Sequence, residues 1–206
     1  MEKIKVLIVD DHAILRMGLS SLLGTRTNIT VVGDAGSGNL ALQKYPKLKP
    51  DVVIMDLVMP GKDGIETTRE LLALDPGAKV LLLTTFGTSD GIAAALRAGA
   101  LGAVMKNTAF PELVSAIRAT AAGRRYVTAE IERILADDPP VHELSPRQQQ
   151  ILESIVRGQT NADIARQLGI SVDMVKEHCI ALFNKIGASK RTEAVAIALR
   201  KQLVKL

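Results

Sequence analysis

Aromatic side chains make up only 2% of this 206-residue chain: three Phe, two Tyr and no Trp. Its cores must therefore be built from Leu, Ile, Val and Ala. A single cysteine, Cys179, excludes an intrachain disulfide and a cysteine-based zinc module, and it fits a reducing compartment. Nowhere do about 18 apolar residues run together, so no membrane-spanning helix is expected. Only four apolar residues separate the first five residues from Asp10, too few for a signal peptide. These absences predict a cytoplasmic protein with no membrane partner. What is present suffices for packed cores: 47% hydrophobic residues against 23% charged excludes a disordered chain.

The net charge of +4 is unevenly distributed. Residues 139–206 hold ten Lys and Arg against six Asp and Glu, so the whole excess lies in the last third. A polyanion partner fits that placement, and so does a merely solvated basic surface.

The first half alternates between two periodicities. Short β-branched or aliphatic runs occur at 6–9, 29–32, 52–55, 80–83 and 102–105. Continuous apolar runs suit strands buried on both faces. Helical spacing fills the gaps: Leu15, Leu19 and Leu22, then an apolar face of Ile65, Leu71, Leu72 and Leu74, then Leu113 and Ile117 between Pro111 and Gly123. Five strands alternating with five helices predict an α/β fold, a doubly wound five-stranded parallel sheet. Ligands of such sheets bind beyond the carboxyl ends of the strands.

Polar residues collect at those ends. The first strand runs into Asp10 and Asp11, the third into Asp56, the fourth into Thr84 and the fifth into Lys106. Singly, each reads as a cap or turn residue; jointly, they converge on one rim. Three carboxylates together repel and need a cation. Hard oxygen ligands without a nearby His or Cys suit Mg²⁺. A carboxylate beside that ion can attack phosphorus, with Thr84 and Lys106 binding the phosphoryl oxygens. The inferred chemistry is phosphoryl transfer onto Asp56.

The pair Asp10-Asp11, the run from Val53 through Asp56, Val58, Pro60 and Gly61 to Gly64, and then Thr84 and Lys106 resemble the receiver domain of bacterial two-component response regulators. The resemblance implies a flavodoxin-like fold over residues 1–123. It implies that Asp56 accepts a phosphoryl group from a sensor histidine kinase. It further implies that Asp10, Asp11, Asp56 and the Val58 carbonyl hold Mg²⁺, and that Thr84 and Lys106 bind the phosphoryl group. Three positions depart from the family. Ala103 stands where a Tyr or Phe usually swings inward. Val58 and Phe86, flanking the path of the hydrolytic water, are both apolar, which leaves no side chain to orient that water.

Residues 124–143 read as the linker. Residues 128–135 form a short helix there, with Ile131, Ile134 and Leu135 as its sticky side, before Pro139-Pro140 breaks the chain. Beyond it, helices only are expected. Ser145-Pro146-Arg147-Gln148 reads as N-cap, first-turn proline and capping box. Gly158 ends that helix, Asn161 opens a second, Gly169 stops it, Ser171 caps a third, and a fourth begins near Thr192. The middle pair has helix-turn-helix spacing. On a wheel of the third, Val172, Val175, Cys179, Leu182 and Ile186 form the core arc, which makes Cys179 a core thiol. Asp173, Glu177, Ile180 and Asn184 lie opposite, with Lys176 at the edge. His178 sits at the flank, either a surface histidine or a phosphate contact.

These residues, with Lys185-Ile186-Gly187-Ala188 and Arg191-Thr192-Glu193-Ala194, resemble the LuxR-type DNA-binding domain, placed at residues 144–206. With the receiver, the whole chain is similar to response regulators of the NarL/FixJ class. That implies a third helix in the major groove of double-stranded DNA. Lys176 would touch a base, and Lys185, Lys190 and Arg191 would approach phosphates. Glu177 and Ile180 occupy the groove-facing arc, where they can meet a cytosine amine and a thymine methyl. A homodimer on DNA is implied through the last helix, with Val195 and Leu199 facing the core and Ala194, Ile197 and Ala198 left for the partner. The expected function is a phosphorylation-controlled transcription regulator rather than an enzyme. The alternative is an atypical regulator that switches poorly because of Ala103.

Overall fold

The computed structural model describes residues 3–85, 88–141, 144–201 and 203–204. The chain divides into two compact units, Met1–Asp138 and Pro139–Leu206.

In the first unit, β1 (Ile4–Val9), β2 (Ile29–Ala35), β3 (Val52–Asp56), β4 (Val80–Thr84) and β5 (Gly102–Met105) alternate with α1 (Ala13–Gly24), α2 (Gly38–Leu48), α3 (Gly64–Leu74), α4 (Ser89–Arg97) and α5 (Phe110–Ala121). The sheet does not stop at five strands. A two-residue strand, β6 (Tyr126–Val127), pairs in parallel with β5, so among the described residues the order is β2-β1-β3-β4-β5-β6. Two residues are too short to carry an apolar run, which is why the sequence pattern predicted five strands. Helix α6 (Ala129–Asp137) follows at once. The α/β class and the parallel winding are as expected.

The pleat explains the two cores. Alternate residues of each central strand point to opposite faces. Leu7, Val9, Val53, Met55, Leu82 and Ala103 face α2, α3, α4 and α6 in one cluster. Val6, Ile8, Val52, Ile54, Leu81 and Val104 face α1 and α5 in the other. Strands β1, β3, β4 and β5 are therefore buried on both sides, as their unbroken apolar runs require. Two helical faces differ from expectation. On α1 the inward residues are Leu19 and Leu23, while Leu22 is 48% exposed. At 100° per residue, Leu19 and Leu23 lie about 40° and 80° round from Leu15 in one direction and Leu22 about 20° in the other, so the buried arc is centred on the Leu19–Leu23 side and Leu22 falls beyond its edge. On α3, Leu71 is buried but Leu74, the last residue of the helix, is exposed.

The second unit consists of α7 (Pro146–Val156), α8 (Asn161–Leu168), α9 (Val172–Ile186) and α10 (Arg191–Arg200). Its punctuation is local. Ser145 and Gln148 close a capping box on α7, Thr160 and Asp163 close another on α8, and Ser171 caps α9. Gly169 and Gly187 end α8 and α9 with positive φ, at 65° and 74°. Ile151, Leu152, Ile155, Ile164, Val175, Cys179, Leu182 and Ile186 form one apolar core. Burial pushes the Cys179 thiol pKa up, in keeping with an inert core position.

Candidate functional site

Strand order reverses beside β1, where the chain passes to β2 on one side and β3 on the other. A crevice opens beyond the carboxyl ends of strands at such a point. Asp10 follows β1 there and Asp56 ends β3, one residue past the Val9–Met55 pair. Thr84 ends β4 in register with Met105, and the Lys106 N–H donates to the Thr84 carbonyl at 2.7 Å. The four elements thus deliver Asp10, Asp56, Thr84 and Lys106 to one rim. Asp11, the next residue after Asp10, joins them.

The rim is buried and charged. Asp10, Asp56 and Thr84 are 1%, 3% and 1% exposed. The Lys106 ammonium lies 2.7 Å from Asp10 Oδ2 and 2.9 Å from Asp56 Oδ2. Burial pushes the Asp56 carboxyl above the usual range. The hydrogen bond and charge of Lys106 and the Val58 N–H only partly offset this, and the charge of Asp10 adds to it. Burial by itself would lower the Lys106 pKa, but the hydrogen bonds and charges of Asp10 and Asp56 outweigh it and hold the ammonium above the ordinary lysine value.

The loop after β3 is set by close backbone packing. The Val58 N–H approaches Asp56 Oδ1 at 3.5 Å, and Gly64 N–H donates to the Leu57 carbonyl at 3.0 Å. A Cβ on Gly64 would stand 2.1 Å from the Asp56 carbonyl oxygen, so this position accepts no side chain. Asp63 caps α3 immediately before it. Val58 itself is 56% exposed. Phe86, its expected companion along the water path, lies outside the described residues.

Sequence reasoning missed two neighbours. One ligand atom from each of Asp10, Asp11, His12 and Asp56 lies within 4.8 Å of the others. His12 Nδ1 is 3.1 Å from Asp10 Oδ1 and 2.8 Å from Asp11 Oδ1, so the expectation of no histidine nearby is corrected. Adjacency in the chain, Asp10-Asp11-His12, was the available signal. Arg16 donates to the Asp10 carbonyl at 2.7 Å and pairs with Asp34 at 2.7 Å. Nothing in the spacing of α1 foretold that role. Ala103 is fully buried in the α4 and α6 face of the sheet.

In the second unit, α9 presents Asp173, Lys176, Glu177, Ile180 and Asn184 outward, with Ile180 63% exposed. Lys176 forms an i,i+3 ion pair with Asp173 at 2.9 Å. Val172, expected in the core, is exposed: it is the first residue of α9, at the end of the helix. His178 is half-buried at the flank. Lys185 reaches the Gln148 side chain, and Lys190 is the exposed N-cap residue of α10. Arg191 is half-buried and donates to Asn161 Oδ1 and the Gln159 carbonyl, tying α10 to the start of α8. On α10 the expected faces are partly corrected: Val195 packs half-buried against the core as expected, but Leu199 is exposed, and Ala194, Ile197 and Ala198, expected to face a partner, are buried. Small residues there let α10 approach α7 closely, which draws Ala194 and Ala198 inward. Among the described residues, no helix is long and apolar enough to cross a membrane.

The comparisons agree with this geometry. Residues 6–118 match the response regulator receiver domain, and residues 142–198 match the luxR family of bacterial regulatory proteins. The transcriptional regulatory protein LiaR of Bacillus subtilis (strain 168) is 35% identical over 209 residues, covering 98% of this chain and 99% of that one. The crystal structure of the response regulator ChrA, from a heme-sensing two-component system, is 37% identical, covers 99% of this chain and 100% of its own, and superposes with a TM-score of 0.59. RcsB from Salmonella enterica serovar Typhimurium, bound to the P1flhDC promoter in the presence of the phosphomimetic BeF3-, is 26% identical. It covers 95% of this chain and 98% of its own, with a TM-score of 0.71.

Proposed function

Given that the chain belongs to the response regulators that join a receiver domain to a LuxR-type DNA-binding domain, we propose that Asp56 is the residue through which phosphorylation controls it. The supporting observation is the convergence of Asp10, Asp56 and Lys106 within 2.9 Å contacts on one buried rim. The donor is a phosphohistidine on a sensor kinase. A carboxylate oxygen of Asp56 attacks phosphorus, the phosphorus–nitrogen bond breaks, and the departing imidazole takes up a proton. The product is an acyl phosphate. Asp10, Asp11, Asp56 and the Val58 carbonyl would hold Mg²⁺, and their oxygen donors fit it. Bound there, the ion neutralises charge that builds on the phosphoryl oxygens. The Lys106 ammonium, already on Asp56, stays on the phosphoryl group, and the Thr84 hydroxyl takes another oxygen.

We assign residues 1–123 to the phosphoacceptor domain, 124–143 to the linker and 144–206 to the DNA-binding domain. Lys176, Glu177, His178 and Ile180 read or flank the major groove, and Lys185, Lys190 and Arg191 approach phosphates. The promoter complex of RcsB supports double-stranded DNA as the partner and a homodimer as the binding form. The setting is cytoplasmic, and the protein is a regulator rather than an enzyme. The atypical reading is not favoured, because the charged rim is complete without an aromatic at position 103.

A small-molecule phosphodonor with Mg²⁺ should place one acid-labile phosphoryl group on the native chain. EDTA should prevent labelling, and Asp56→Asn should abolish it. Equal labelling of that variant would contradict the assignment.

A further inference from the structure

Residues 119–141 lie between the two matched families, yet many of them fold onto the first unit. In β6, the Tyr126 N–H donates to the Leu101 carbonyl at 3.0 Å, and the Thr128 N–H donates to the Ala103 carbonyl at 3.3 Å. Helix α6 then covers the sheet face that contains Ala103. Its Ile131 is completely buried there, with Ile134 and Leu135 packed beside it. Space that a larger residue at 103 would demand is already part of this packing.

The end of α6 is joined to the start of α4 by a side-chain hydrogen bond. Ser89, 2% exposed, is the first residue of α4 and lies five positions after Thr84. Its hydroxyl is 2.8 Å from Asp138 Oδ2 and 3.5 Å from Asp90 Oδ2. A hydroxyl has one proton to donate and here has two carboxylate acceptors, which provides two discrete arrangements. Asp138 is the C-cap of α6 and the last residue of the first unit. α6 is also weakly held. It has nine residues, one of them fully buried. Its N-cap Thr128 makes no side-chain capping bond, and its buried hydroxyl has no hydrogen-bond partner among the described residues. Helices this short depend on tertiary contacts, so a small change at one end can shift their opening equilibrium.

We propose that the Ser89–Asp138 hydrogen bond is a latch that phosphorylation opens. The proposal rests on the assignment of Asp56 as phosphoacceptor. When Thr84 moves toward the phosphoryl group, the start of α4 follows, Ser89 turns from Asp138 to Asp90, and α6 loosens. The signal then leaves the receiver along its own chain at Asp138, without an aromatic switch at position 103.

Hydrogen exchange on the full chain tests this, with EDTA against beryllofluoride plus Mg²⁺ as the phosphoryl mimic. In the native chain, the mimic should speed exchange of the α6 amides about tenfold or more. Ser89→Ala should show the faster rate in both conditions. Asp138→Asn keeps an oxygen that can accept from Ser89 and should behave as native, while Asp138→Ala should follow Ser89→Ala. Amides of β1 and α1 report that each variant is folded. If amides at 56–58 respond to the mimic and α6 does not, the latch is wrong and the phosphoacceptor reading stands. If those at 56–58 do not respond either, both fall. Native α6 exchange in Ser89→Ala would also overturn the latch.

Discussion

The two units carry their charges in opposite ways. In the first, the candidate chemistry is concentrated in a buried cluster, where Asp10 and Asp56 share one ammonium and almost no solvent. In the second, Lys176, Glu177 and Ile180 stand exposed along α9, and the Lys176–Asp173 pair is exposed at both partners. Buried charges interact strongly and depend on one another; exposed ones are screened and nearly independent. The buried rim suits an all-or-none event such as acyl phosphate formation. The exposed face suits reading a sequence by several modest, nearly additive contacts. Loss of one residue should therefore be severe in the first unit and graded in the second.

Lys106→Met offers the strongest challenge to that contrast. It leaves Asp10 and Asp56 buried without their counter-charge, which should lower the stability of the first unit by about 3–5 kcal/mol in EDTA. Urea denaturation would measure it, and Mg²⁺ should restore part of the loss by binding the folded state. The sign of the pH dependence follows from the raised Lys106 pKa. Folding favours the protonated ammonium, so its contribution is complete below the ordinary lysine value and is lost as pH rises through the higher folded one. Native and variant stabilities should converge in strong alkali. A variant as stable as native at neutral pH would break the comparison.

Next in size is Lys176→Ala. It should cost about 1–3 kcal/mol of DNA binding and relax preference at one base pair. Measured across a set of operator variants, a loss equal for all sequences would instead make Lys176 a phosphate contact. A smaller effect concerns the lifetime of the signal. Val58 is exposed beside the rim and cannot orient a water by hydrogen bonding. Val58→Asn should shorten the half-life of the phosphorylated chain about tenfold, roughly 1.4 kcal/mol of barrier. Loss of label after removing the donor would show it, and an unchanged half-life would refute the water-orientation argument.

The same contrast explains what was legible in the sequence. The rim was legible because a parallel sheet sends every strand end to one side, so Asp10, Asp56, Thr84 and Lys106 needed no contact information to be gathered. The caps at Ser145 and Ser171 and the stop at Gly169 were legible because capping is decided within four residues. Elements decided by tertiary packing were not. β6 has two residues and exists only because the edge of β5 offers it partners. The inward turn of Ala194 and Ala198 on α10 depends on close approach to α7, where small size counts for more than hydrophobicity. Arg16 reaches the Asp10 backbone from a helix whose pattern speaks only of its apolar face. Val172 failed for a related reason: wheel position alone does not decide burial at the end of a helix.

The central claim is that charge placed on Asp56 changes how the second unit meets DNA. A duplex recovered by selection from a random pool allows a direct measurement of affinity for the full chain, with and without beryllofluoride and Mg²⁺. The native chain should bind more tightly with the mimic by about five- to 150-fold, the span of ordinary allosteric couplings, and Asp56→Asn should not respond. Equal affinity of the native chain in the two conditions, or the same gain in Asp56→Asn, would contradict the account.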